Sequence, residues 1–169
     1  ELRWIHDFIH PLYDFHKKRV VRLLGACRDI TARKNVELEL RRQKERAENY
    51  FRIAGVMLII LDTRGRVLQI NEKGLSILGY TREELVGKDW FELCIPETIR
   101  SEVRRGFAAF LEGKSGNSRV YYGRMGTNPV ITKSGEIRTV FWTNEPVKDD
   151  EGEIIGTVSS GEDISERIQ

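Results

Sequence analysis

Ile70-Asn-Glu-Lys-Gly-Leu-Ser-Ile-Leu-Gly-Tyr-Thr-Arg-Glu-Glu-Leu-Val-Gly-Lys88 is the stretch that orders the rest of the chain. It ends an apolar strand and opens two short helices in succession. Asn71 is placed to cap a helix over Glu72 to Leu78, because its side-chain oxygen can accept an exposed first-turn amide. Thr81-Arg-Glu-Glu84 is a capping box, in which the hydroxyl caps and Glu84 reaches back to the cap's own amide. Upstream, Val56-Met-Leu-Ile-Ile-Leu61 is apolar and strand-sized. Asp62-Thr-Arg-Gly-Arg66 is a turn in which Gly65 takes positive φ, and Val67 to Ile70 is the returning strand. Downstream, Pro96 suits the first turn of a longer helix. There Ile99, Val103, Phe107 and Phe110 recur at three- and four-residue steps and mark a buried face. Gly113 is a plausible stop, and residues 113–129, with four glycines, read as a flexible crossing to further strands. Thr132-Lys-Ser-Gly-Glu136 and Asp149-Asp-Glu-Gly-Glu153 each join two β-rich runs, so each reads as a hairpin. The run from Glu136 to Val147 is long enough for a central strand, with Pro146 near its end.

Working towards the start, the chain repeats itself. Leu23-Leu-Gly-Ala-Cys-Arg-Asp-Ile-Thr31 and Ile154-Ile-Gly-Thr-Val-Ser-Ser-Gly-Glu-Asp-Ile-Ser165 are apolar runs that end in Asp-Ile-Thr/Ser. Each follows a Trp and a Pro, Trp4 and Pro11 in one case and Trp142 and Pro146 in the other. The Pro-to-Asp separations are 18 and 17 residues. A repeat of that length suggests tandem domains, the first of them truncated. Residues 1–30 then read as two strands and a turn, a unit that is marginal alone in water and is expected to be poorly ordered or to borrow a sheet. Residues 32–54 lack Pro and Gly and read as a helix, with Thr31 as its N-cap. Val36, Leu40, Gln43, Ala47, Tyr50 and Ala54 fall on one stripe, apolar except for Gln43, and Glu37 is placed to pair with Arg41. Two readings stand: a solvated helix lying on its own domain, or, since the spacing is heptad-like, a short parallel coiled coil with Val36, Leu40, Ala47 and Tyr50 as the candidate dimer contacts.

Composition narrows the functions. The formal charge is +2 over 169 residues, with 28 basic and 26 acidic side chains, which gives no electrostatic footprint for nucleic acid or an anionic membrane. No apolar run approaches the roughly 20 residues that cross a bilayer. The chain opens on Glu1-Leu-Arg-Trp4, without an initiator Met or a leader, and is expected to be a cytoplasmic piece of a longer protein. Two cysteines far apart, Cys27 and Cys94, make no disulfide framework.

The order of elements, with the stretches 70–80 and 81–88 and the run Gly156 to Asp163-Ile-Ser165, resembles the PAS family. The likeness covers about 45–169, with the exit motif again in 24–31. It implies an α+β fold: a five-stranded antiparallel sheet with short helices over one face, preceded here by an amphipathic helix and a truncated β-hairpin. It divides the chain into 1–31, the end of an earlier domain; 32–54, a connecting signalling helix; and 55–169, a complete domain. It also implies signal sensing and relay, coupling a small-molecule ligand or a partner to a helix that leaves the sheet. The competing expectation is a dimerisation or spacer module with a filled core. Asp29 and Thr31, and Asp163 and Ser165, mark the exits. The candidate pocket is Asn71, Trp90, Phe91, Cys94, Phe107, Tyr122, Arg124, Trp142 and Asn144. Expected partners are a second copy and neighbouring domains of the parent, of the sensor histidine kinase or diguanylate cyclase kind.

Several chemistries are not expected. All three histidines, His6, His10 and His16, precede residue 17, so a His-ligated haem in 55–169 is not expected, and the trio reads as solvated surface. Trp90-Phe-Glu-Leu-Cys-Ile-Pro96 does not match the reactive-cysteine motif of the flavin-binding light sensors, so cysteinyl-flavin photochemistry is not expected and Cys94 reads as a small buried apolar residue. There is no P-loop, no zinc spacing and no histidine in 55–169 to serve a nucleophile, so no enzyme is expected in this stretch. The cofactor, if there is one, is unnamed by the sequence.

Overall fold

The computed structural model describes residues 3–113 and 123–167. They fall into two compact units, Glu1–Glu48 and Asn49–Gln169.

The first unit holds β1 (Ile5–Asp14) and β2 (Arg19–Asp29), an antiparallel hairpin with a register shift at Leu12/Tyr13. Nearly every residue of both strands is exposed. Helix α1 (Thr31–Ile53) follows and has no buried residue. Thr31 was expected to cap α1. Its hydroxyl instead accepts the Trp4 amide at 2.9 Å, because Asp29 Oδ1 takes the Thr31 amide and turns the side chain back to β1. Glu37 pairs with Lys34 (2.9 Å) and Arg41 with Glu45 (2.8 Å), not with each other; each charge finds an opposite one a turn away on its other side.

The second unit is built on β3 (Met57–Asp62), β4 (Val67–Ile70), β5 (Met125–Ile131), β6 (Ile137–Lys148) and β7 (Ile154–Asp163). They form one antiparallel sheet in the order β4-β3-β7-β6-β5. Between β4 and β5 lie α2 (Glu72–Leu78), α3 (Arg82–Leu85), α4 (Trp90–Cys94) and α5 (Glu97–Leu111). The expected turns hold, and Thr81 with Glu84 forms the capping box. Period-two alternation on β3 sends Met57, Ile59 and Leu61 inward. They share one core with Leu78, Leu85, Phe91, Val103, Phe107 and Phe110 of the helices. Gly74 lets α2 lie on the sheet, since a Cβ there would stand 2.8 Å from the Ile70 side chain and 2.9 Å from that of Met57.

Two further features depart from the sequence reading. The crossing expected over 113–129 is in part strand, because β5 is an edge strand on which Pro129 needs no ladder partner for a missing amide. Helix α4 was not foreseen; Asp89 starts it by accepting the amides of Phe91 (2.9 Å) and Glu92 (3.1 Å).

Candidate functional site

The inner face of the sheet carries a small interior cavity of about 10 Å³. That is room for about one water molecule. Its walls are Ile59 and Leu61 of β3, Asn128 of β5, Trp142 and Asn144 of β6, Ser159 of β7, Trp90 and Ile95 around α4, and Val103 of α5. The register explains the polar side: Ser159 lies opposite both Ile59 and Asn144, and one step along Gly161 lies opposite Trp142. A Cβ at Gly161 would stand 2.8 Å from the Trp142 ring, so the glycine is what lets that indole lie flat on the sheet. Trp90 meets Trp142 edge-on at 5.9 Å. Two buried polar atoms of these lining residues, Trp142 Nε1 and Ser159 Oγ, have no hydrogen-bond partner among the described residues. A buried polar group without a partner costs free energy and needs a reason.

Of the candidate pocket residues, the structure brings Trp90, Trp142 and Asn144 together at this cavity. The other described candidates lie elsewhere. Phe91, Cys94 and Phe107 are buried but pack in the core away from the cavity; Phe91 lies 5.2 Å from Phe107, with the Arg104 guanidinium 4.9 Å over its ring. Burial pushes the Cys94 thiol up to about 12. Asn71 is buried, but its amide is already engaged: Oδ1 accepts the Gly74 and Leu58 amides, and Nδ2 donates to the Val56 carbonyl. Arg124 is exposed and lies 3.8 Å from Glu145, because it precedes the edge strand rather than entering the sheet's inner face. Tyr122 lies outside the described residues. Asn128 and Ser159 were missed. Their signal was phase: each falls on the inward step of its strand, with Val130 and Gly161.

A second constellation holds the chain where it leaves the sheet. Asp163 Oδ1 accepts the Ser165 hydroxyl (2.6 Å) and amide (3.0 Å), and Oδ2 accepts Arg138 Nη1 at 3.0 Å. Ser165 Oγ accepts the Thr139 amide at 2.8 Å, and the Ile164 amide donates to the Thr139 carbonyl at 2.9 Å. Burial opposes the charge on Asp163, but the hydroxyl, the amide and Arg138 together outweigh it and hold the carboxyl below its ordinary value.

The same clamp stands at the other exit. Asp29 Oδ1 accepts the Thr31 amide (2.9 Å), Thr31 Oγ1 accepts the Trp4 amide (2.9 Å), the Ile30 amide donates to the Trp4 carbonyl (2.9 Å), and Arg3 stands 3.8 Å from Asp29. The hairpins behind the clamps match as well. Pro11 pairs with Leu23 as Pro146 pairs with Thr157, and the register slips after Leu12 as it does after Val147. Positive φ falls on Lys18 (50°) and Gly152 (88°), each two residues before the equivalent positions Val20 and Ile154, which pair with Tyr13 and Lys148. This register refines the sequence repeat: Pro11 and Pro146 are equivalent, but Trp4 stands where Thr139 does, and Val20-Val21 rather than Leu23-Leu24 match Ile154-Ile155.

Residues 54–166 match the family model described as PAS domain. The biofilm dispersion protein BdlA of Pseudomonas aeruginosa is 31% identical over 103 residues, covering 61% of this chain; the chain spans 23% of that protein's length. The PAS domain of an HTR-like protein from Haloarcula marismortui superposes with a TM-score of 0.60 at 20% identity, covering 78% of this chain and 99% of that one. The PAS domain of the quorum-sensing receptor RpfR from Cronobacter turicensis, solved with BDSF, superposes with a TM-score of 0.53 at 24% identity, covering 66% of this chain and 95% of that one. At such identities the superpositions speak for the fold.

Proposed function

Because the chain belongs to the PAS domain family, a family of signal-sensing domains in signalling proteins, we propose that residues 55–169 sense a small molecule or a partner and relay the event to the chain leaving at Asp163. The observation that carries this reading is the duplicated exit clamp. In its first copy the clamp hands directly into a helix of 23 residues, α1. Its second copy ties the same turn to β6, whose inward residues beyond Val140, namely Trp142 and Asn144, line the cavity. A change in the cavity wall therefore reaches the clamp along one strand. A ligand shifts such an equilibrium only by binding one state better than the other.

In this reading 1–31 is the end of an earlier PAS-type domain, and 32–54 is the helix through which that domain communicates with 55–169. Val36, Leu40, Ala47 and Tyr50, all exposed, form the seam of a homodimer. Any kinase or cyclase output belongs to other parts of the parent protein. Cys27 and Cys94, both free thiols, fit a reducing cytoplasm. Among the described residues no helix is long and apolar enough to cross a membrane.

A second reading, a spacer or dimerisation module with a filled core, is favoured by one observation: the cavity measures only about 10 Å³. Ser159→Val separates the two by crowding the cavity from its own wall. Relay predicts that amide exchange at Ile164 and Ser165 changes several-fold; a spacer predicts exchange there equal to the unsubstituted chain.

A further inference from the structure

We propose that the cavity between Trp90 and Trp142 takes a small, uncharged compound made of an apolar body and a hydrogen-bond acceptor, with the Trp142 indole as the donor that selects it. The inference rests on the sensing reading above and adds the chemistry of what is sensed. An indole N–H donates only. Trp142 is 6% exposed, and its Nε1 has no partner among the described residues. The group that completes it must bring an acceptor oxygen or nitrogen. Ser159, 2% exposed and also without a partner at Oγ, can donate or accept, so it tolerates either a carbonyl or a hydroxyl beside that acceptor.

The remaining walls decide charge and body. Among the described residues, no Asp, Glu, Lys, Arg or His lines the cavity. A bound ion would be desolvated with no counter-charge, which is costly. Ile59, Leu61, Ile95 and Val103 offer apolar surface opposite the polar side. At about 10 Å³ the empty space admits one water-sized group, so a compound of several heavy atoms must move a wall. The Trp90–Trp142 edge contact is the contact between the helical side and the sheet side that parts in doing so. Displacing Trp142 loads β6, the strand clamped to the exit.

The test uses three probes of one size and different charge: butan-2-one, n-butylammonium and butyrate. The chain has three tryptophans, Trp4, Trp90 and Trp142, so its indole ¹⁵N–¹H spectrum has three resonances, assignable with Trp→Phe variants. The expected result is a saturable shift of the Trp142 indole with butan-2-one, a smaller one for Trp90, none for Trp4, and no saturable shift with either charged probe. Ser159→Ala, nearly isosteric, is expected to weaken the ketone about three- to tenfold, the loss of one neutral hydrogen bond. Trp142→Phe is expected to weaken it at least as much. A Trp142 indole that shows contact with water and moves with no probe would overturn the proposal, and so would an equal response to charged and uncharged probes. The two readings fail separately. Ketone binding with unmoved clamp amides overturns relay and leaves the ligand class standing. Clamp amides that respond to Ser159→Val in a chain that binds no probe do the reverse.

Discussion

The hairpin β1–β2 and the hairpin β6–β7 share pairing register, bulge, left-handed turn residue and exit clamp, yet one is exposed along nearly its whole length and the other is an interior part of a packed sheet. The difference separates what a hairpin specifies for itself from what the rest of a domain adds. Turn chemistry, bulge and clamp need only the two strands and the residues that flank them. Burial needs β3 and the helices. The inner faces also differ in substance. Where β6–β7 presents Trp142, Asn144, Ser159 and Gly161, the matching positions of β1–β2 hold Asp7, Ile9, Gly25 and Cys27. One scaffold thus carries two different floors, and sites built on them would not take the same ligand.

The largest effect should come where the second hairpin meets a strand that the first lacks. A Cβ at Gly156 would collide with the Leu61 backbone carbonyl. Gly156→Ala is therefore expected to destabilise residues 55–167 by about 3 kcal/mol in denaturant unfolding. Arg22→Ala, at the equivalent place in β2, should leave the unfolding midpoint unchanged. Equal effects would mean that the glycine serves the hairpin rather than its packing.

The clamps should differ next. The Asp163 and Arg138 side chains are 17% and 31% exposed, and those of Asp29 and Arg3 are 53% and 68% exposed. Asp163→Ala should cost about 1–2 kcal/mol through lost hydrogen bonds, with no measurable loss of stability for Asp29→Ala. The sign with pH follows from the lowered carboxyl of Asp163. Its contribution is present in full above the ordinary carboxylate value, about 3.9, and is lost as pH falls from there through the depressed folded value. Stability that is flat with pH in the Asp163→Ala difference between pH 5 and pH 2 would contradict this.

Smaller effects concern the outer surfaces. Leu40 is 71% exposed on α1, and Leu40→Glu should lower the light-scattering mass from dimer towards monomer. A parent chain that is strictly monomeric at high concentration would remove the seam. The two thiols should also part. Cys94, pushed up to about 12 by burial, should resist a thiol reagent in the folded chain, while exposed Cys27 reacts. A hydrogen bond with Asp7 raises the Cys27 thiol, so Asp7→Asn should speed its labelling about threefold.

Much of this was legible in residues 70–88. Asn71, the Thr81–Glu84 box and the turn glycines each act through neighbours within a few positions, so sequence suffices to place them. The repeat was legible for the same reason, since Asp29-Ile-Thr31 and Asp163-Ile-Ser165 close on their own backbone. The partners that close the clamps from the far strand, Arg138 with Thr139 and Arg3 with Trp4, lie about 25 residues upstream and emerge only once register is fixed. The cavity was half legible. Trp142 and Asn144 announce themselves as a large and a polar residue on inward steps. Ser159 and Asn128 look like ordinary strand polars until pairing brings them beside Trp142. Arg124 lies off the cavity, and a polar residue near a strand says nothing of which side of the edge it takes.

The most direct measurement is native-state amide exchange at the two clamp amides, Thr139 and Trp4, in the unsubstituted chain and in Ser159→Val. Crowding the cavity is expected to alter Thr139 exchange several-fold while Trp4, held by the matching clamp in a hairpin without that cavity, keeps its rate, as does Leu78, buried in the core away from the cavity. Thr139 exchange that stays fixed while the cavity is filled, or Thr139, Leu78 and Trp4 moving together, would overturn a relay from cavity to exit.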